Sequence, residues 1–222
     1  MVEIKRIVFN AFQENTILIW DEQKNCVIID PGYSSEREKS YLDEFIKGSC
    51  LLPKAILLTH AHFDHILGLE DCAKHYNIPI YMHPKEYATI NSNSKYCVKY
   101  GIEPPKTDFK TIDITDGEVI EVGNMSFEVI FTPGHSPGGV GYLLSKDKVL
   151  ISGDTLFAGS IGRTDLEEGD YDILMASIFN KLLPLDGDIT LIPGHGPETS
   201  IAVERTTNPF LMPFNLPFED NE

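Results

Sequence analysis

Three histidines and an aspartate crowd into Thr59-His60-Ala61-His62-Phe63-Asp64-His65. Histidine and aspartate offer nitrogen and oxygen ligands suited to zinc, iron or manganese, and no cysteine lies close enough to add a thiolate. A lone histidine is more often a satisfied core or surface residue than a ligand. Four such residues together reverse that balance, because burying them without a cation would leave several polar groups unpaired. His60 and His62, two apart on an extended segment, can both turn toward one ion. Asp64 and His65 open the next helix, point elsewhere, and suit a second ion. Further along, Pro133-Gly134-His135 and Pro193-Gly194-His195 repeat one tripeptide, and Ser152-Gly153-Asp154 ends in a third exposed polar group.

Each of these residues follows a β-rich run. Ile4 to Asn10, Asn15 to Trp20 and Cys26 to Ile29 read as strands, the third stopped by Asp30-Pro31-Gly32. Tyr41, Leu42, Phe45 and Ile46 have helical spacing within 35–47. The apolar strand Ala55 to Leu58 runs straight into the histidine motif, with a helix expected from about Asp64 to Tyr76 and a strand over Ile78 to Met82. In the second half, strands are expected at 118–121, 126–131, 141–144, 149–151 and 189–192, with a helix over 171–183. Glycine and proline end strands sharply, so each polar residue is presented at a strand end on a rigid scaffold.

No low-complexity segment or Gly/Ser linker divides the 222 residues, which predicts a single domain over 1–222 with an extended tail over 206–222. That tail, rich in Phe and Pro from Pro209 to Phe218, is either a strap on the body or a dimer contact, and the oligomeric state is left open. A formal charge of −16 repels phosphate backbones and anionic lipid heads, which argues against nucleic acid and membrane partners. The N-terminus has no long apolar signal region, and the four cysteines show neither a CxxC pair nor a disulfide framework. The expected location is the cytoplasm, with reduced and mostly buried thiols.

The motif Thr59 to His65 resembles the T-H-x-H-x-D-H signature of the metallo-β-lactamase fold, and the likeness continues in order through His135, Asp154 and His195. It implies an α/β fold, a four-layer αββα sandwich of two mixed β-sheets flanked by helices. It also implies two divalent metal ions per chain, with zinc first and iron or manganese as the other options. His60, His62 and His135 would hold one ion; Asp64, His65 and His195 would hold the other; Asp154 would bridge them. A hydroxide shared by two ions at neutral pH explains hydrolysis, with Asp64 as the catalytic carboxylate that orients it and assists the leaving group.

Within the fold, true class B β-lactamases lack the bridging aspartate that Asp154 supplies. Flavodiiron proteins carry glutamate where His62 stands, and the charge tells against the RNA-processing members. Glyoxalase II, the hydroxyacylglutathione hydrolase, is the nearest likeness. Asp154 to Gly162 followed by Arg163 resembles its segment after the bridging aspartate, and Glu204 to Phe210 resembles its E-x-x-x-N-P-F. Arg163 and Tyr142 are accordingly the expected substrate contacts, for a small-molecule thioester such as one carried on glutathione. Two departures stand out: the helical domain of full-length glyoxalase II is not expected, and Asp165 replaces an aromatic. These point to the short glyoxalase II-like proteins. Arg163 can equally be read as an ion pair with Asp165, and Tyr142 as core packing. The alternatives to a thioester hydrolase are a persulfide dioxygenase with one iron on His60, His135 and Asp154, and a non-catalytic metal-binding module.

Overall fold

The computed structural model describes residues 1–212; of the expected tail, 213–222 lie outside the described residues. In the first half, β1 (Glu3–Phe9), β2 (Glu14–Trp20) and β3 (Asn25–Ile29) form an antiparallel meander. β4 (Leu52–Leu57), β5 (Ile80–Met82) and β6 (Thr111–Asp113) extend it in parallel, giving a mixed sheet in the order β1-β2-β3-β4-β5-β6. In the second half lie β7 (Val119–Val122), β8 (Met125–Phe131), β9 (Val140–Leu144), β10 (Val149–Gly153), the short hairpin β11 (Leu156–Phe157) and β12 (Ser160–Ile161), β13 (Thr190–Pro193) and β14 (Thr199–Ser200). The second mixed sheet runs β14-β13-β10-β9-β8-β7, with β10 and β13 parallel.

Strand side chains alternate between faces, and here both faces are apolar. On β2, Ile17 and Ile19 face the second sheet while Leu18 and Trp20 face away; on β10, Ile151 faces in and Leu150 faces away. Each sheet therefore needs cover on both sides. The sheets cover one another, and helices take the outer faces. On the first sheet these are α1 (Glu36–Gly48) and α3 (Leu69–Tyr76), through Leu42, Ile46, Leu69 and Cys72. On the second they are α5 (Tyr171–Ser177), which runs on as a π-helix over Ile178–Leu182, and α6 (Ile201–Thr207). The expected four-layer αββα sandwich is the observed architecture. The expected tail begins later than position 206, because Thr206 and Thr207 still belong to α6.

Two local expectations need correction. The helix expected over 64–76 is two helices, α2 (Phe63–Ile66) and α3, parted at Leu67-Gly68. The Gly68 N–H donates to the Pro31 carbonyl at 3.0 Å, and a Cβ on Gly68 would lie 2.6 Å from the Tyr33 ring. The Gly68 N–H is thus taken by the Pro31 carbonyl and the Asp64 carbonyl by the Asn10 amide, so the helical ladder is broken there, and Tyr33 leaves room only for glycine. Tyr142 is not in a position to meet a substrate: its ring is fully buried between the sheets, and its hydroxyl donates to the Leu58 carbonyl at 2.7 Å. That bond ties β9 to the strand that delivers His60.

Removing this hydroxyl should leave the Leu58 carbonyl buried and unpaired. Tyr142→Phe is therefore expected to lower folding stability by about 1–3 kcal/mol, measured by urea or thermal denaturation, with no effect on KM for any substrate. A raised KM at unchanged stability would return Tyr142 to the substrate site.

Candidate metal centre

All seven sequence-predicted residues meet where the two sheets share one edge. His60, His62, Asp64 and His65 follow β4; His135, Asp154 and His195 follow or end β8, β10 and β13. The ligating atoms of His60, His62 and His135 lie within 4.8 Å of one another, as do those of Asp64, His65 and His195. Asp154 stands between the trios. Its Oδ1 is 3.6 Å from His65 Nε2, and its Oδ2 is 3.5 Å from both His135 Nε2 and His195 Nε2.

The unmet polar atoms fit a cation. Among the described residues, Nε2 of His60 and Oδ1 of Asp154 are buried without a hydrogen-bond partner. His62 Nδ1 faces His135 Nε2 at 2.8 Å, and His65 Nε2 faces His195 Nε2 at 3.2 Å, so lone pairs converge on common points. A Cβ on Gly194 would collide with Asp154 Oδ1 and lie 2.7 Å from His65 Cε1, so the Pro-Gly-His loop needs its glycine to approach this closely.

A ring of partners aims the ligands. His135 Nδ1 donates to the Arg163 carbonyl at 2.8 Å, and His195 Nδ1 to the Phe12 carbonyl at 3.0 Å. A carbonyl can only accept, so the proton sits on Nδ1 and Nε2 is left free to ligate. Asp30 accepts from the Thr59 N–H at 2.8 Å and the Thr59 hydroxyl at 2.5 Å, and faces His65 Nδ1 at 3.0 Å. Its oxygens are thus committed to holding the loop, although one of them lies within 4.8 Å of a ring nitrogen of His60 and of His65.

Charge divides the two trios. Burial and neighbouring histidines push His60 well down and His62 down to about 3; burial also lowers His135. In the other trio burial works the same way on His65, but Asp154, Asp30 and Asp64 overcome it and hold its pKa well above the usual range. His195 is likewise raised against burial, by Asp64 and Asp154. Burial would raise Asp154, yet His65, His195 and His135 keep it well below the ordinary carboxylate range.

Above the centre opens a cleft of about 360 Å³, walled by Phe12, Phe63, Tyr100 and Phe157. Phe12 meets Phe63 and Tyr100 edge-on at 5.0 and 5.3 Å. Arg163 lines this cleft, and its side chain is paired: Nε and Nη2 donate to the two oxygens of Asp165 at 2.8 Å each. His75 and His83 stand apart, the first 3.8 Å from Asp43 and the second stacked on Phe131.

Sequence reasoning missed the helix α4 (Tyr87–Tyr100) and what surrounds it. Glu86, fully buried just before α4, accepts from the Ala61 N–H at 2.6 Å and the Gly138 N–H at 2.7 Å. Asn93 donates to the Ala61 carbonyl at 2.8 Å. The peptide between His60 and His62 is thus gripped at both ends. A glutamate two residues after a strand-end His-Pro carries no metal-site signal of its own.

A family model of the metallo-beta-lactamase superfamily matches residues 9–195. The chain belongs to that superfamily. Among relatives, "Hydroxyacylglutathione hydrolase GloC" of Haemophilus influenzae is 39% identical over 214 residues, covering 95% of this chain and 98% of that one. Among solved structures of the superfamily, BLEG-1 B3 metallo-beta-lactamase is 40% identical with a TM-score of 0.86, covering 94% of this chain and 99% of its own. TTHA1623, solved in a di-iron-bound form, is 36% identical with a TM-score of 0.83, covering 93% of this chain and all of its own, 100%.

The electrostatic division predicts an order of metal loss. A histidine must be neutral to ligate, so raised pKa values on His65 and His195 make protons strong competitors there. As pH falls from about 8 to 5, zinc should leave the Asp64/His65/His195 group first. It should stay longer on His60, His62 and His135, whose pKa values are lowered. Metal content after dialysis across that range would check this, and loss of both ions in one step would refute it. Glu86→Gln places an amide N–H against one of two backbone donors. It is expected to weaken zinc binding about 10–100-fold in chelator competition, the usual scale for losing a residue that orients ligands.

Proposed function

We propose that this superfamily member is a dinuclear metal-dependent hydrolase that cleaves a thioester, with a hydroxyacylglutathione as the type substrate. The observation that carries the reading is the convergence of two complete trios on either side of Asp154 beneath one cleft. A mononuclear iron dioxygenase on His60, His135 and Asp154 would have no use for Asp64, His65 and His195 as a group. The relative named for hydroxyacylglutathione hydrolysis supports the substrate class, and the cleft is of the size that holds a small molecule.

His60, His62 and His135 would hold one ion, Asp64, His65 and His195 the other, and Asp154 would touch both. Zinc suits this nitrogen and oxygen set, and so does iron, which a similar protein binds as a pair. When bound, the ions lower the pKa of water toward about 7 and polarise the acyl carbonyl. Asp64 borders the cleft, and its Oδ2 lies 3.4 Å from His195 Nε2. Burial would raise its pKa, but His195 and His65 keep it ionised. It orients the attacking water and takes up its proton. The water oxygen bonds to the acyl carbon, the carbon–sulfur bond breaks, and the sulfur leaves with the electron pair. A thiolate, whose conjugate acid has a pKa of about 8.5, leaves near neutral pH with little protonation. That suits a site whose proton carrier is one ionised carboxylate. The aromatic walls cover the acyl and thiol stems.

β-Lactam hydrolysis is the second reading, favoured by the neighbour that bears a lactamase name. The Asp154 carboxylate between the trios weighs against it, given the resemblance in which class B β-lactamases lack a bridging aspartate.

Protein reconstituted with zinc or iron should carry close to two ions and cleave S-lactoylglutathione anaerobically, releasing thiol without oxygen uptake. Asp64→Asn and Asp154→Ala should each lower kcat by at least about a hundredfold. Oxygen uptake with glutathione persulfide and no thioester cleavage would overturn the proposal in favour of the dioxygenase. Faster turnover of a β-lactam than of any thioester would overturn it in favour of the lactamase.

A further inference from the structure

Outside the seven residues of the metal centre, the charged residues lining the cleft are Lys99 and Arg163, both cations. They are not equivalent. Arg163 directs Nε and Nη2 at both oxygens of Asp165, the two-pronged geometry in which guanidinium and carboxylate bind best. Asp165 is held down to about 2 by this contact, so it stays ionised and the pair is neutral as a unit. The Arg163 guanidinium also lies near enough to Tyr100, an aromatic wall of the cleft, to interact with it electrostatically. Asp165 already neutralises the guanidinium, so a substrate carboxylate arriving at its remaining N–H groups would meet a pair with no net charge.

Lys99 lies in the last turn of α4, beside Tyr100. Among the described residues its ammonium makes no hydrogen bond or ion pair; it rests 5.9 Å from the centroid of the Tyr100 ring and feels Asp165 at longer range. Lys95, one turn earlier, is bonded to Glu167 at 2.7 Å. Glu167 and the neighbouring Glu168, which Tyr96 reaches at 3.5 Å, do not line the cleft. Of the three cations around this rim, two are closed into carboxylate pairs and Lys99 keeps its charge available. On a chain of formal charge −16, such a cation favours an anion at this opening.

We propose that Lys99, and not Arg163, receives the carboxylate of the thiol carrier, and that Arg163 acts as a positioning residue that fixes Tyr100. The ligand is then an anionic thioester with its stem against Phe12 and Tyr100 and its carboxylate at the α4 end of the cleft. That the ligand is a thioester rests on the function proposed above; the asymmetry between the two cations does not.

The test is calorimetric binding of S-methylglutathione, a thioether that cannot be hydrolysed, and of its dimethyl ester, to the zinc-loaded protein. Lys99→Gln should weaken the free acid about five- to tenfold, as expected for a rim cation meeting a carboxylate, and leave the ester unchanged. Lys99→Arg should restore the acid, and Lys99→Glu should weaken it further. Arg163→Gln should weaken acid and ester alike, because it loosens Tyr100 without removing the anion contact. A loss confined to the acid in Arg163→Gln, an equal effect of Lys99→Gln on both ligands, or no binding of either ligand by the wild type would each overturn the proposal. Parallel assays with S-lactoylglutathione separate this from the hydrolase. A selective Lys99 effect on binding with no thioester cleavage keeps the subsite and removes the hydrolase. Cleavage whose KM is unmoved in Lys99→Gln removes the subsite and keeps the hydrolase.

Discussion

Nε2 of His60 and Oδ1 of Asp154 are buried with nothing in the described protein to bond them. In an interior of low dielectric, each unpaired polar atom costs about 1–3 kcal/mol, and charged groups cost more. A cation set among them removes that cost, and without one the side chains would drift toward other partners. Holding seven donors in place against that tendency is the constraint that organises the loops around them. The donors come from four separate strand ends on two sheets, so no single element can fix them.

The answer is a set of bonds between segments far apart in sequence. Phe12 in the first hairpin holds His195 near the other end of the fold, and Arg163 holds His135 through its backbone carbonyl. Glu86 joins the loop of His60 and His62 to the loop after His135 through two N–H groups at once. Asn15 donates to the carbonyls of Pro193 and Gly196, on either side of His195, at 2.9 Å each. Asn10 donates to the Asp64 carbonyl at 2.9 Å. In each case a committed acceptor or donor turns a flexible loop into a fixed one, and the ligand it carries loses the freedom to find an alternative partner.

Much of this was legible in the residues. Gly and Pro after each β-rich run mark where the polar residues emerge, and the four-layer sandwich followed from the resemblance carried by Thr59 to His65. The illegible parts have a common cause: they depend on partners far off in sequence. Nothing in the polar run Asn91-Ser92-Asn93-Ser94 announces α4; the helix is held by contacts such as Asn93 to Ala61. The break at Gly68 comes from Pro31 and Asn10, which take the backbone groups that a continuous helix would pair. Tyr142 looks alike whether its hydroxyl meets a ligand or the Leu58 carbonyl 84 residues away. Arg163 is the opposite case, since its partner Asp165 is two positions on and could be weighed beforehand.

The hairpin tip between β1 and β2 carries two duties on one residue. Phe12 turns its ring into the cleft and its carbonyl toward His195. A longer or shorter tip, the simplest way for a family to reshape a pocket over evolutionary time, would therefore drag a ligand along with the wall. Changes in substrate range that leave the centre intact have to be sought elsewhere. The last turns of α4 offer that freedom: Tyr96, Lys99 and Tyr100 border the cleft while holding none of the seven candidate ligands. Variation among relatives should accordingly be conservative at the tip and permissive at the end of that helix.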